Sequence, residues 1–133
     1  MLMSISQTMA KIKLLTQGLE YIKVSEQALE DYRNFVKDKK GENIVISLIK
    51  INRNFQCSLV THSTKYYITK QYGNLDIRYN KEKNIITSIR NINYSEITYK
   101  GARPFNIDWD CKKKFDAVLG KKKFDIILGR RMA

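Results

Sequence analysis

The residues with the clearest potential for chemistry in this sequence are cationic and cluster near its C-terminus. A nine-residue pattern of three lysines, Phe, Asp, three apolar residues and Gly occurs twice in succession, and an arginine pair follows. Each lysine triplet precedes an apolar stretch that can anchor it to the fold, as phosphate contacts require. Chance duplication in a lysine-rich chain is the alternative interpretation. The candidate phosphate-binding residues are Lys112, Lys113, Lys114, Lys121, Lys122, Lys123, Arg130 and Arg131.

A catalytic hypothesis centres on His62, the only histidine in the chain. Cleavage of RNA needs a base for the 2′-hydroxyl, an acid for the leaving oxygen and cations on the phosphate. His62 and Lys65, which lie close together in the sequence, could supply these groups. The alternative is that His62 is an ordinary turn residue with no chemical role.

Tyrosine suggests a second mode of recognition. Exposed tyrosines on a sheet could stack unpaired bases while neighbouring cations hold the phosphates. The competing interpretation is packing across strands, since tyrosine has a high strand propensity. The tyrosines of this region are Tyr66, Tyr67, Tyr72, Tyr79, Tyr94 and Tyr99, and the cations among them are Lys65, Lys70, Arg78 and Arg90.

The sequence predicts no metal and no cofactor. Asp108 and Asp110 would share one face of a strand, but no third acidic ligand follows at a recognisable spacing, so a helix-capping role is favoured. Two cysteines and one histidine far apart match no zinc spacing. Neither a P-loop nor a glycine-rich dinucleotide turn occurs.

The charge distribution indicates a polyanionic partner. The formal net charge is +12; residues 1–42 hold 7 basic and 6 acidic side chains, whereas residues 43–133 hold 18 and 7. This asymmetry favours nucleic acid, RNA above all, or an acidic protein. A merely solvated basic surface is the alternative. Few cysteines, no signal peptide and no run long enough to span a membrane predict a cytoplasmic location.

These residues require a fold to position them, and the patterns predict one α+β domain over residues 1–133. Residues 1–42 are near-neutral and helical. Ile5, Met9, Ile12 and Leu15 share one face of a first helix, which ends at Gly18. A second helix begins after an N-cap at Ser25, and its buried face holds Ala28, Leu29, Tyr32, Phe35 and Val36.

The period then changes from that of a helix to that of a strand. Alternation from Asn43 onward, short polar turns and the reversal at Gly73-Asn74 predict an antiparallel meander of five or six strands over residues 43–100. One of its edges could pair two copies of the chain. Residues 101–133 are the basic C-terminal segment, with a short helix capped by Asp108 or Asp110, its inner face Cys111, Phe115 and Leu119, and a buried strand at residues 124–128.

The function favoured by the sequence is therefore a basic nucleic-acid-binding module, acting on RNA or single strands through its lysine clusters. A small toxin-like, metal-independent ribonuclease is one alternative. The other is a viral or mobile-element accessory protein that inhibits an acidic host protein by charge complementarity.

Overall fold

The computed structural model describes residues 2–35, 41–92 and 107–132, of which residues 2–3 and 121–132 are described as backbone only. These residues form four helices and five strands. The helices are α1 (Leu2–Thr16), α2 (Glu26–Phe35), α3 (Ile44–Gln56) and α4 (Trp109–Met132). The strands are β1 (Lys23–Val24), β2 (Leu59–Ser63), β3 (Tyr67–Tyr72), β4 (Leu75–Asn80) and β5 (Ile85–Asn91).

The strands form one mixed sheet in the order β1-β5-β4-β3-β2. Strands β2 to β5 are an antiparallel meander, which confirms that part of the sequence prediction. Strand β1 was not expected in this sheet, and it pairs with β5 in parallel, with Lys23 opposite Ile85. The class is α+β. The possible sixth strand at residues 94–99 lies outside the described residues.

The N-terminal helices begin and end for local reasons that the sequence showed. Gly18 follows α1 with φ of 74°, a left-handed conformation that glycine adopts without strain. The Ser25 hydroxyl accepts a hydrogen bond from the Ala28 amide at 3.0 Å and donates one to the Thr87 carbonyl at 2.9 Å. Ser25 therefore caps α2 and also ties it to β5.

The outer surfaces of these two helices differ from expectation. Ile5, Met9, Ile12 and Leu15 do lie on one face of α1, but that face is 47–61% exposed, and Ala10 and Leu14 make the contacts with the core. Phe35 of α2 is also exposed rather than buried, whereas Ala28, Leu29 and Tyr32 are buried as predicted. Val36 lies outside the described residues.

The prediction of a strand after Asn43 is wrong, because residues 44–56 form the helix α3. The Asn43 side chain caps it by accepting from the Val45 amide at 2.8 Å. Residues 45–52 are all buried, and a helix buried on every side can be as rich in apolar residues as a covered strand. Phe55 and Cys57 consequently belong to the end of this helix and not to a second strand.

Helix α3 lies at the centre of the helical layer, in contact with α1, α2, α4 and β3. The main core is formed by buried side chains of all four helices and of β1, β4 and β5. A buried ion pair accompanies α3: Lys50 Nζ lies 2.5 Å from Glu42, which also accepts from the Ser47 hydroxyl at 2.9 Å. In the described ranges, no helix combines the length and the apolar character needed to cross a membrane.

The C-terminal segment is a single helix, so the prediction of a strand at residues 124–128 is wrong. Asp108 caps α4 by accepting from the Cys111 amide at 3.1 Å, and Phe115 and Leu119 are buried as predicted. Helix α4 continues past Gly120 to Met132, so it is longer than the predicted short helix. The thiol of Cys57 contacts that of Cys111 at 2.7 Å and adds to this attachment.

Candidate nucleic-acid interface

Two turns lie side by side at one end of the sheet. They join β2 to β3 and β4 to β5, and the antiparallel register, with Tyr67 opposite Asn80, brings them together. The Lys81 amide donates to the Tyr66 carbonyl at 2.8 Å, and its ammonium donates to the Ser63 hydroxyl at 3.1 Å and the Thr64 carbonyl at 2.7 Å. Lys81 therefore fixes the two turns relative to each other.

Exposed aromatic rings lie beside cations on these turns and on the strands next to them. Lys65 Nζ lies 5.5 Å from the centre of the Tyr66 ring, and Arg78 Cζ lies 5.6 Å from that of Tyr67. The two tyrosines are 50% and 39% exposed. Contacts of this length are favourable cation–π interactions, and they hold each cation beside a ring. We call this region the turn surface; its residues are Lys65, Tyr66, Tyr67, Arg78, Lys81 and Lys83.

The turn surface continues onto the outer face of the sheet. His62, Thr69, Arg78 and Ser88 are consecutive partners across β2, β3, β4 and β5. Directly opposed residues point to the same side of a sheet, and neighbouring strands are about 4.8 Å apart. His62 and Arg78 are both exposed and stand two strands apart, so one polar row leads across the sheet from its edge.

The other side of the sheet faces the helices. Tyr72 and Tyr79 point toward the helices, where burial raises the pKa of both phenols. Lys70 lies 4.6 Å from the centre of the Phe55 ring, and burial lowers the pKa of its ammonium. For Tyr72 and Tyr79 this arrangement agrees with the competing interpretation, packing, rather than with base stacking.

Other members of that predicted face have different outcomes. Arg90 is exposed but forms a 3.1 Å ion pair with Asp76, so its charge is partly neutralised. Tyr94 and Tyr99 lie outside the described residues. Of the tyrosines between residues 66 and 92, Tyr66 and Tyr67 are the two on exposed structure.

The first lysine triplet lies in the first two turns of α4. Lys113 and Lys114 are exposed, but Lys112 Nζ lies 2.5 Å from Asp116, and Asp116 also pairs with Arg53 at 3.1 Å. Partial burial alone would raise the pKa of Asp116, but hydrogen bonds from Lys112 and Arg53 lower it below its usual value. The structure thus shows Lys112 neutralising Asp116, where the sequence predicted a phosphate contact.

The second triplet and the arginine pair belong to the backbone-only part of α4. Residues 121–123 and 130–131 are helical, which places all eight predicted phosphate-binding residues on one helix. A separation of nine residues is about two and a half helical turns. The two triplets therefore start from opposite sides of the helix axis and do not form a single stripe.

The predicted catalytic pair does not form a catalytic arrangement by itself. His62 is exposed on β2, and its side chain makes no hydrogen bond or ion pair with the described residues. Lys65 is directed over Tyr66 rather than toward His62. Asp108 has the capping role that the sequence favoured, and the described part of the chain contains no group of three or more potential metal ligands.

Sequence reasoning missed Lys81 and Lys83. Both lie in a polar loop with nothing unusual in its composition. The order of the strands could have revealed them. In a meander, the first and third turns lie at the same end of the sheet, so these two lysines lie near Lys65.

Comparison with known proteins adds no relatives. The chain matches no protein-family model, no curated protein sequence and no solved structure. Any function must therefore be inferred from the residues of this chain.

Proposed function

We propose that this protein binds single-stranded nucleic acid, RNA in particular, through the turn surface. The observation that carries the proposal is the pairing of two exposed tyrosines with two cations at one end of the sheet. Every base has a π-face that can stack on an aromatic ring, and such stacking contributes about 1–3 kcal/mol per base. Cations fixed beside the rings would contact the phosphates between the stacked bases.

A single strand fits this surface better than a duplex. The turn surface offers rings and flexible lysines at a sheet end, whereas direct reading of duplex DNA requires an element that enters the major groove. Unstacked bases are the parts of RNA that proteins recognise on aromatic side chains. Lys113 and Lys114 of α4 are additional exposed cations that could extend the path of the phosphate backbone.

Anisotropy titrations with labelled 12-nucleotide RNA and DNA, single- and double-stranded, test the proposal. Tyr67→Ala should weaken binding of single-stranded RNA by roughly 5- to 150-fold, the equivalent of about 1–3 kcal/mol. Tyr72→Phe is the matched control, because Tyr72 belongs to the same strand but faces the helices. Equal affinities of Tyr67→Ala and the unmodified protein would rule out stacking on the turn surface.

The ribonuclease alternative is tested with the same samples. His62 and Arg78 on one outer row would offer a base and a cation to a bound strand. If each titrated RNA remains intact on a denaturing gel, the protein binds without cleaving. Shortened RNA that becomes intact with His62→Ala would instead establish catalysis.

The apolar face of α1 favours a second candidate function, docking onto an acidic protein. Ile5, Met9, Ile12 and Leu15 are exposed, and residues 2–16 hold two lysines and no acidic side chain. An amphipathic helix of this kind fits an apolar groove with an acidic rim. Two results together would favour this candidate over nucleic-acid binding. No nucleic acid would bind at about 50 mM salt, and a defined acidic protein would bind the unmodified chain but not the variant with Ile5→Ser and Ile12→Ser.

Self-association through the sheet edge is a further part of the proposal. Strand β2 is one of the two edge strands of the described sheet, and all five of its residues are exposed, Leu59 and Val60 among them. Unpaired backbone groups on such an edge can pair with a second copy. The register shift between Val60 and His62 weakens this tendency, since bulges commonly protect edges. Sedimentation velocity over a range of concentrations would detect the dimer.

A further inference from the structure

A polar cleft lies between α1, β1 and the turn that joins β4 to β5. Its volume is about 370 Å³, within the size range of small-ligand sites. Its lining residues are Ser4, Gln7, Thr8, Lys11, Tyr21, Lys23 and Asn84. The cleft is separate from the turn surface but adjacent to it, because Asn84 follows Lys83 in the same turn.

Hydrogen bonds hold the backbone on one side of the cleft in place. Gln7 accepts from the Val24 amide at 3.1 Å and donates to the Val24 carbonyl at 2.6 Å. Asn52 of α3 likewise accepts from the Ile22 amide at 2.7 Å and donates to the Ile22 carbonyl at 3.0 Å. Lys23 lies between these two fixed residues, so its backbone position at the mouth of the cleft is fixed.

The groups left over around the cleft are hydrogen-bond donors. The ammonium groups of Lys11 and Lys23 make no hydrogen bond or ion pair within the described part of the chain. Asn84 accepts from the Tyr79 hydroxyl through its oxygen, which leaves its NH₂ available. Burial raises the pKa of Tyr21, so the phenol stays protonated and adds no negative charge.

This arrangement selects one class of ligand. Lys11, Lys23, Asn84 and Ser4 all line the cleft, and none of its lining residues is acidic. The two lysines disfavour cations. An oxyanion is the ligand that such donors favour, and charged groups form the stronger hydrogen bonds. The volume exceeds that of one oxyanion, since a water molecule occupies about 30 Å³.

We propose that this cleft binds a phosphomonoester, with room for the sugar attached to it. On the function proposed above, the ligand is the terminal phosphate of the strand that crosses the turn surface. The strand would then be bound in a fixed register, with one end in the cleft and its bases on Tyr66 and Tyr67. A free mononucleotide carries the same chemical group and is the other source of the ligand.

The test compares one labelled single-stranded RNA with a 5′-phosphate, a 3′-phosphate or hydroxyl groups at both ends. One phosphorylated form should bind about tenfold more tightly than the hydroxyl form, as expected of one added charge-assisted contact. Lys11→Ala with Lys23→Ala should abolish the preference while the hydroxyl form still binds. Lys113→Ala with Lys114→Ala is the matched control, because it removes the same charge from outside the cleft and should retain the preference. Titration with adenosine monophosphate and with inorganic phosphate, followed by thermal shift, completes the experiment.

The outcomes separate the two proposals. Equal binding of the three RNAs, with no thermal shift from either phosphate ligand, overturns the cleft proposal and leaves nucleic-acid binding intact. Failure of every RNA to bind, while adenosine monophosphate stabilises the protein and the Lys11/Lys23 variant loses this effect, overturns the function proposed for the turn surface. That result would support the cleft as a site for free nucleotides.

Discussion

The turn surface predicts a specific change in the salt dependence of binding. Lys65 and Lys83 are exposed, and neither ammonium makes a hydrogen bond or ion pair with the described residues, so Lys65→Ala with Lys83→Ala should leave the fold intact. For single strands, the logarithm of the affinity falls with the logarithm of the salt concentration by about 0.7 per phosphate neutralised. Loss of two contacts should therefore reduce this slope by about 1.4. From about 50 to 200 mM salt, the unmodified protein should lose roughly sevenfold more affinity than the variant.

Anisotropy titrations of single-stranded RNA at four or more salt concentrations measure these slopes. Lys113→Ala with Lys114→Ala serves as the comparison, since it removes the same charge from α4. If the phosphates lie on α4 instead, this variant will lower the slope and the Lys65/Lys83 variant will not. Unchanged slopes in both variants would refute the reasoning, because neither surface would then contact phosphate.

Three further predictions concern the parts that support the site. Ser25→Ala should lower the free energy of unfolding by about 1–2 kcal/mol in urea denaturation, because it removes the cap of α2 and the bond to Thr87; no change would mean that water replaces both bonds. The pKa of Asp116 is lowered in the folded state, so its contribution to stability is present above about pH 4 and is lost as the pH falls through the folded pKa. Thermal melts should therefore show a larger deficit for Asp116→Asn at pH 7 than at pH 3, and equal deficits would contradict this. Burial raises the pKa of the Cys57 thiol, and Cys111 lies against it, so iodoacetamide should label Cys57 far more slowly in the folded protein than in urea; equal rates would show that the thiol is accessible.

Where the sequence held an unambiguous local signal, the structure confirms the expectation. The cap at Ser25, the stop at Gly18 and the reversal at Gly73-Asn74 each depend on the chemistry of one or two residues. The meander follows from alternation and short turns. The parallel pairing of β1 with β5 escaped prediction because two residues have no period, and the position of β1 depends on the side chains of Gln7 and Asn52.

The central helix could not be identified from apolar periodicity, because it has no exposed face. Its polar residues were the better signal: Ser47, Lys50 and Asn54 are spaced at three and four residues, which is a helical interval. Each of these positions is buried, and the Lys50–Glu42 ion pair shows why a charge is tolerated there. Local alternation at Ile44, Ile46 and Leu48 was a coincidence within a mostly apolar run.

The turn surface, which is proposed to bind nucleic acid, could not be predicted from the sequence for a different reason. The density of lysines made the C-terminal repeat the predicted phosphate-binding site. In the structure, however, Lys112 neutralises Asp116. The nine-residue period also places the starts of the two triplets on opposite sides of α4. The turn surface has fewer cations, but the fold fixes them beside exposed rings. Because phosphate contacts alone carry no preference for single strands, aromatic rings are what distinguish a single-strand site from a generally basic surface. The proposed interface therefore depends on position in the fold rather than on the number of lysines.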